Sequence, residues 1–211
     1  MESAAPRFIV RGYDEIRNGV MDLNYRLSGM LRKEGNPSAI ICPLRGGMFA
    51  SRTWSDLLGV RDIVAVDVRA YEGMKIQEGD AKIEDFASKL GKFDRDRGWF
   101  LLVDDVVDSG KTMKAIVDRI TGTMPNKVVT CSVDYKPNAV YTPDYYVNTV
   151  NPKTWIIYEY ELFETLRELR GAGNSGDLME FNNAIAGYGN GRLMGLLPYY
   201  DGIASQMQNA D

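Results

Sequence analysis

The sequence predicts an α/β fold built on a doubly wound, mostly parallel sheet. Segments with helical periodicity alternate with short apolar runs from Tyr13 to Val133, the pattern of βα units. The most apolar run, Trp99 to Val103, leads straight into two carboxylates and then a helix start. At 211 residues the chain suits one domain with attachments and can bury a sizeable core.

The elements follow in order. From Tyr13 to Lys33 the apolar residues Ile16, Val20, Leu23, Leu27, Met30 and Leu31 recur at helical spacing. Gly35-Asn36-Pro37 stops that helix, and Ala39 to Cys42 reads as a short buried strand. A helix over Met48 to Leu58 and a strand over Ile63 to Val68 come next. Residues 71–97 are polar and charged, with Gly73 and Gly79 near the start. They read either as a mobile lid or as a solvated connection holding one weak helix. After the strand at Trp99 to Val103, a helix over Lys111 to Ile120 and a strand over Lys127 to Val133 complete the repeat. The small residues of 171–176 read as a flexible joint, which divides the chain into a main domain, 1–170, and an extension of weak helical pattern, 171–211.

Composition narrows the chemistry. A net charge of −4 gives no bulk attraction to nucleic acid or to an anionic membrane. No apolar run approaches membrane-spanning length, and Met1 to Pro6 lack the regions of a signal peptide, so a cytoplasmic location is expected. Cys42 and Cys131 both fall in apparent strands and read as reduced core thiols, with a disulfide between them as the alternative. There is no histidine. Histidine general bases, Ser-His triads and most zinc sites are thereby excluded, leaving carboxylates and magnesium.

The decisive segment runs from Leu101 to Thr112, LLVDDVVDSGKT. It reads as a buried strand, Asp104 and Asp105 at its end, a short loop with Asp108, and a helix start. The amides of Ser109, Gly110, Lys111 and Thr112, with two hydroxyls beside them, form a phosphate cradle. Two adjacent carboxylates next to such a cradle can accept hydrogen bonds from a sugar diol or hold Mg²⁺ through water. A simple N-cap accounts for one acid and not for three aspartates within five residues. A P-loop would require glycine where Asp105 stands.

This segment resembles the phosphoribosyl-pyrophosphate signature of the type I phosphoribosyltransferases. Leu44-Arg45-Gly46-Gly47, after Pro43 and the first strand, resembles that family's pyrophosphate loop, where glycines admit an anion and Arg45 adds charge. The order Asp134-Tyr135-Lys136-Pro137, Pro143-Asp144-Tyr145-Tyr146, Trp155 to Glu161 is similar to that of the hypoxanthine, guanine and xanthine enzymes, most of all the short microbial xanthine-guanine type. The resemblance spans Ala39 to Glu161 and implies a small hood over roughly 136–165. It implies a magnesium-dependent transferase of purine salvage, a homodimer or homotetramer, acting on phosphoribosyl pyrophosphate and a purine base. Under it Asp104 and Asp105 match the ribose-diol pair and Asp108 the acid beside N7 of the base. Lys136 would donate to the 6-oxygen, Trp155 would stack on the ring, and Ile156 would read the base edge through its backbone. Glu161 would lie near the 2-position or the metal, with Asp104 and Asp105 as the other candidate metal holders.

Two departures stand out: Glu159-Tyr160 where the family commonly has Pro-Trp, which bears on base choice, and Ala70-Tyr71 where it often has Ser-Tyr, which bears on closure of the lid. Competing readings are a regulatory protein that keeps the signature as a sensor, or a transferase for another base. The acidic chain lacks the basic face expected of the first, and Asp108, Lys136 and Trp155 argue against the second. A glutamine amidotransferase of this fold would need an N-terminal cysteine, which Met1-Glu2 does not supply.

Overall fold

The computed structural model describes residues 7–69, 71–72, 75–76, 82–83, 86–93, 98–173, 175–189 and 195. Two compact units arise. One gathers described residues within Met1–Tyr13, Gly73–Lys75 and Lys153–Asp211, the other those within Asp14–Glu72 and Ile76–Pro152.

The larger unit holds helix α1 (Tyr13–Glu34, its first residue apart), strand β2 (Ala39–Leu44), helix α2 (Gly47–Leu58) and strand β3 (Ile63–Arg69). Two-residue strands β4 (Tyr71–Glu72), β5 (Lys75–Ile76, its first residue apart) and β6 (Lys82–Ile83) follow, then the short helix α3 (Ala87–Leu90). Strand β7 (Trp99–Val107), helix α4 (Lys111–Thr121), and strands β8 (Lys127–Tyr135) and β9 (Tyr145–Thr149) complete it. The six-stranded sheet has the order β6-β3-β2-β7-β8-β9, parallel throughout except for β6.

The order of winding matters for function. The chain steps from β2 outward to β3, then returns to the other side of β2 and proceeds through β7, β8 and β9. The direction therefore reverses between β2 and β7, which makes their carboxyl ends the topological switch point where such sheets bind ligands. Paired register between these two strands ends at Ile41↔Leu102, while β7 runs on along β8 to Val107↔Tyr135.

Successive strand residues point to opposite faces, and both faces are covered. Ile41, Val64, Val66, Phe100 and Leu102 meet Met113, Ile116 and Ile120 of α4 in one core cluster. The alternate residues Ile40, Leu101 and Val103 are equally buried, and α2, with Ala50 and Trp54 inward, packs on β2 and β7. Helix α1 buries Ile16, Val20, Leu23 and Leu27 along one stripe. Its Gly19 sits so near β8 and β9 that an added Cβ would meet Val133 at 3.2 Å and Val147 at 3.4 Å.

The smaller unit pairs β1 (Phe8–Arg11) in parallel with β10 (Trp155–Tyr158). A 3₁₀ turn at Glu159–Glu161 leads into α5 (Leu162–Gly171) and α6 (Ser175–Tyr188). Phe8, Ile157, Leu162, Leu166, Leu169, Phe181 and Ile185 form its core.

The alternation of strand and helix read from the sequence stands, and three differences have physical causes. β7 does not stop at Val103: Asp104 and Asp105 lie within the strand because β8 offers partners as far as Tyr135. β1 was not legible, since its three apolar residues become a strand only through β10. Within 71–97, Phe86 and Leu90 are fully buried and Phe93 packs beside them, so this end is anchored in the core. Nearly half of the expected lid (73–74, 77–81, 84–85 and 94–97), and the extension beyond Gly189 apart from residue 195, lie outside the described residues. Among the described residues no helix is long and apolar enough to cross a membrane, and Cys42 and Cys131 are free and buried.

Candidate active site

The site is built at the switch point. The loop Leu44–Gly47 leaves β2, its Leu44–Arg45 peptide is cis, and it folds directly onto the acids of β7. A Cβ on Gly46 would stand 2.7 Å from both carboxylate oxygens of Asp105. One on Gly47 would stand 2.7 Å from the Val103 carbonyl oxygen and 3.4 Å from Asp104 Oδ1. Any larger residue would push the loop off the strand, so two glycines here are a requirement of approach.

Asp104 and Asp105 differ in setting. Asp104 is half-buried, and its Oδ1 accepts from the Asp105 amide at 3.1 Å. Asp105 is 4% exposed, with Oδ1 accepting from the Val106 amide at 2.7 Å. Burial, reinforced by these two carboxylates, pushes the thiol of neighbouring Cys42 up from its ordinary value.

Beyond Val107 the chain turns through Asp108-Ser109-Gly110 into α4. Gly110 adopts φ +76°, a left-handed conformation suited to glycine. Its surroundings are equally restrictive: a Cβ would meet the Tyr141 amide nitrogen at 2.7 Å and that of Val140 at 3.1 Å. The turn is held from the same side by Val140 N–H donating to the Ser109 carbonyl at 2.9 Å. α4 starts at Lys111, and its N-cap, Gly110, offers no side chain to cap it. The Lys111 amide makes a long contact, 3.4 Å, with Ser109 Oγ.

Lys136 follows the end of β8, and its amide donates to the Val107 carbonyl at 3.0 Å. That bond brings its ammonium to Asp108, with Nζ 2.9 Å from Oδ2. The pair is well enclosed, the Lys136 side chain 5% exposed and that of Asp108 19%. A lysine this buried is uncommon without a charged partner, and here donor and acceptor stand side by side. Asp144, in the next sequence element, serves structure: its Oδ2 accepts from the Thr130 amide and hydroxyl, each at 2.8 Å.

Trp155, Ile156 and Glu161 belong to the smaller unit. Trp155 is half-buried and donates its amide to the Arg7 carbonyl at 2.7 Å. Backbone groups of successive residues in a strand face opposite edges, so the peptide groups of Ile156 face the edge of β10 away from β1. Glu161 is half-buried at the end of the 3₁₀ turn.

A model of the phosphoribosyl transferase domain matches residues 12–163, nearly three quarters of the chain. The chain belongs to this family. It is 27% identical over 153 residues to a xanthine-guanine phosphoribosyltransferase of Ruegeria sp., covering 71% of this chain and 83% of that one. It is 30% identical over 122 residues to one of Desulfotalea psychrophila, covering 58% and 69%. Among solved structures, the Helicobacter pylori xanthine-guanine-hypoxanthine phosphoribosyltransferase superposes with a TM-score of 0.58 at 22% identity, over 78% of this chain and 97% of that one. The neighbours have the type I phosphoribosyltransferase fold read from the sequence.

Proposed function

We propose that this phosphoribosyltransferase joins the ribose 5-phosphate of phosphoribosyl pyrophosphate to a 6-oxopurine, giving the nucleoside monophosphate and pyrophosphate in purine salvage. The observation that carries the reading is the enclosed Lys136–Asp108 pair, 2.9 Å apart, directly before the Ser109–Thr112 turn. A 6-oxopurine protonated at N7 presents an acceptor, O6, next to a donor, N7–H. An ammonium beside a carboxylate is the complement of that edge.

The roles follow. The 5′-phosphate rests on the amides of Ser109, Gly110, Lys111 and Thr112, at the positive end of α4. Asp104, half-buried, and Asp105 engage the ribose diol, Asp105 also supporting Gly46 from below. Leu44, Arg45, Gly46 and Gly47 receive the pyrophosphate, Arg45 through its charge. As the C1–oxygen bond breaks, its electron pair leaves with pyrophosphate and N9 donates a pair to form the new C1–N9 bond. Asp108 accepts the N7 proton that the base sheds. Lys136 donates to O6, and by family resemblance Trp155 stacks on the ring, Ile156 reads the edge through its peptide groups, and Glu161 lies near the 2-position.

Among the described residues no three His, Cys, Asp or Glu side chains gather into a group able to hold a metal. The adjacent carboxylates Asp104 and Asp105 are the donor type of Mg²⁺, which takes one or two carboxylates and completes its shell with water and substrate phosphates. Asp104 and Asp105 would hold it, partly through water, with Glu161 a further candidate. When bound it supplies positive charge against the diphosphate.

The test is direct. Incubation with phosphoribosyl pyrophosphate, Mg²⁺ and guanine, hypoxanthine or xanthine should yield pyrophosphate and the matching nucleotide in equal amounts. Absence of nucleotide from all three would overturn the proposal.

A further inference from the structure

Of Glu159 and Tyr160, the residues that depart from the family's Pro-Trp, the first is touched by Tyr188, near the far end of the described chain. Glu159 Oε2 accepts from the Tyr13 amide at 3.3 Å and from the Tyr188 hydroxyl at 3.5 Å. Tyr160 stacks on Tyr158, with ring planes 2° apart and centroids at 5.4 Å, and also leans on Tyr13 at 6.1 Å. Tyr188 ends α6. A Cβ on Gly12 would lie 1.7 Å from its hydroxyl oxygen and 2.8 Å from its Cζ. The tip of Tyr188 thus fills the space that any side chain at position 12 would need.

The helix that delivers Tyr188 is itself anchored. Phe181 and Ile185 are fully buried in one core with Phe8, Ile157 and Leu162, the Phe8 and Phe181 rings meeting edge to face at 6.4 Å. Arg7, next to β1, forms an ion pair with Asp177 in the first turn of α6. Among the described residues β10 pairs with β1 alone, and its continuation is a single 3₁₀ turn.

We infer that α6, acting through Tyr188 on Glu159 and Gly12, sets the position of Trp155–Glu161 and so governs purine affinity and selectivity at the 2-position. The inference rests on the reading of that segment as the base-binding strand and turn. Tyr188 is a positioning residue, acting through Glu159 and Gly12. A segment that recognises a base by peptide groups and one carboxylate tolerates little displacement, since productive geometry is lost within about 0.5 Å. Helix α6 thus takes part in base recognition.

The experiment uses the full chain with Tyr188→Phe, which keeps the ring and removes the hydroxyl, and Gly12→Ala, which evicts it. Hydrogen–deuterium exchange over 155–161 should accelerate in both. The KM for guanine should rise about three- to tenfold, the range of one hydrogen bond lost, and the guanine-to-xanthine ratio of kcat/KM should shift. The KM for phosphoribosyl pyrophosphate should stay at its wild-type value. If Tyr188→Phe leaves exchange and guanine KM unchanged, or raises both KM values alike, the inference fails. Wild-type protein that makes no nucleotide from any purine would instead sink the proposed activity, and the exchange data would still decide whether α6 holds the segment.

Discussion

Replacing Gly110 with alanine adds a single methyl group to the proposed phosphate cradle, and two independent costs meet there. The backbone stands at φ +76°, where an L-residue loses about 1–2 kcal/mol. The new Cβ would also lie 2.7 Å from the Tyr141 nitrogen and 3.1 Å from the Val140 nitrogen, backbone atoms that cannot swing aside as a side chain would. Retreat of the 139–141 segment would strain the 2.9 Å bond from Val140 to the Ser109 carbonyl. Overpacking of this kind typically costs about 1–3 kcal/mol. If only about 2 kcal/mol of the total falls on the cradle, the KM for phosphoribosyl pyrophosphate rises about 30-fold. Gly35→Ala is the control, because Gly35 has the same φ of +76° with nothing within 4 Å of an added Cβ. The assay compares Tm and both KM values across the two variants. Equal loss of Tm, with wild-type KM for phosphoribosyl pyrophosphate in Gly110→Ala, would refute the placement of the phosphate on this turn.

Other consequences can be checked with the same preparations. Asp108→Asn should lower kcat by about 10²–10⁴-fold, the usual worth of a general base, with little change in the KM for phosphoribosyl pyrophosphate. Asp104→Asn combined with Asp105→Asn should weaken phosphoribosyl pyrophosphate binding, read by calorimetry, more than it slows a single turnover. Burial raises the pKa of both Cys42 and Cys131. The reactive thiolate is therefore scarce at neutral pH, and iodoacetamide should label neither thiol until the protein is unfolded.

The parts of the fold that were legible in the sequence are those whose signal is local. The stripe of α1, from Ile16 to Leu27, and the apolar runs of β2, β3, β7 and β8 carry their own periodicity. The strand character of Asp104 to Val107 was hidden, because polarity marks Asp104 as an end while register with Ser132 and Asp134 keeps it in the sheet. β1 depends on a partner nearly 150 residues away, and no short window contains that pairing. Phe86, Leu90 and Phe93 do stand at helical spacing within the charged 71–97 stretch, a signal available but outweighed by its polar surroundings.

For the site, the contiguous motifs gave the loop 44–47 and the turn 108–112, since each is a single chain segment with its own chemistry. What they could not give is how the segments meet. Gly46 lies on Asp105 because β2 and β7 are neighbours at the reversal of the sheet. Lys136 reaches Asp108 because the end of β8 is bonded back to Val107. Glu159, noted in the sequence only as a departure from the family, has its partners at Tyr13 and Tyr188, in elements with no periodic link to it.

The most direct test of the central claim, that Lys136 and Asp108 read a 6-oxo edge, is kcat/KM for guanine against adenine under identical conditions. Adenine presents an amino group where guanine presents O6, so the Lys136 ammonium would confront a donor with a donor. Pockets built on such hydrogen bonds reject the wrong ligand by about 10⁴–10⁵-fold. The account predicts efficient turnover of guanine and essentially none of adenine. Adenine used as efficiently as guanine would contradict it.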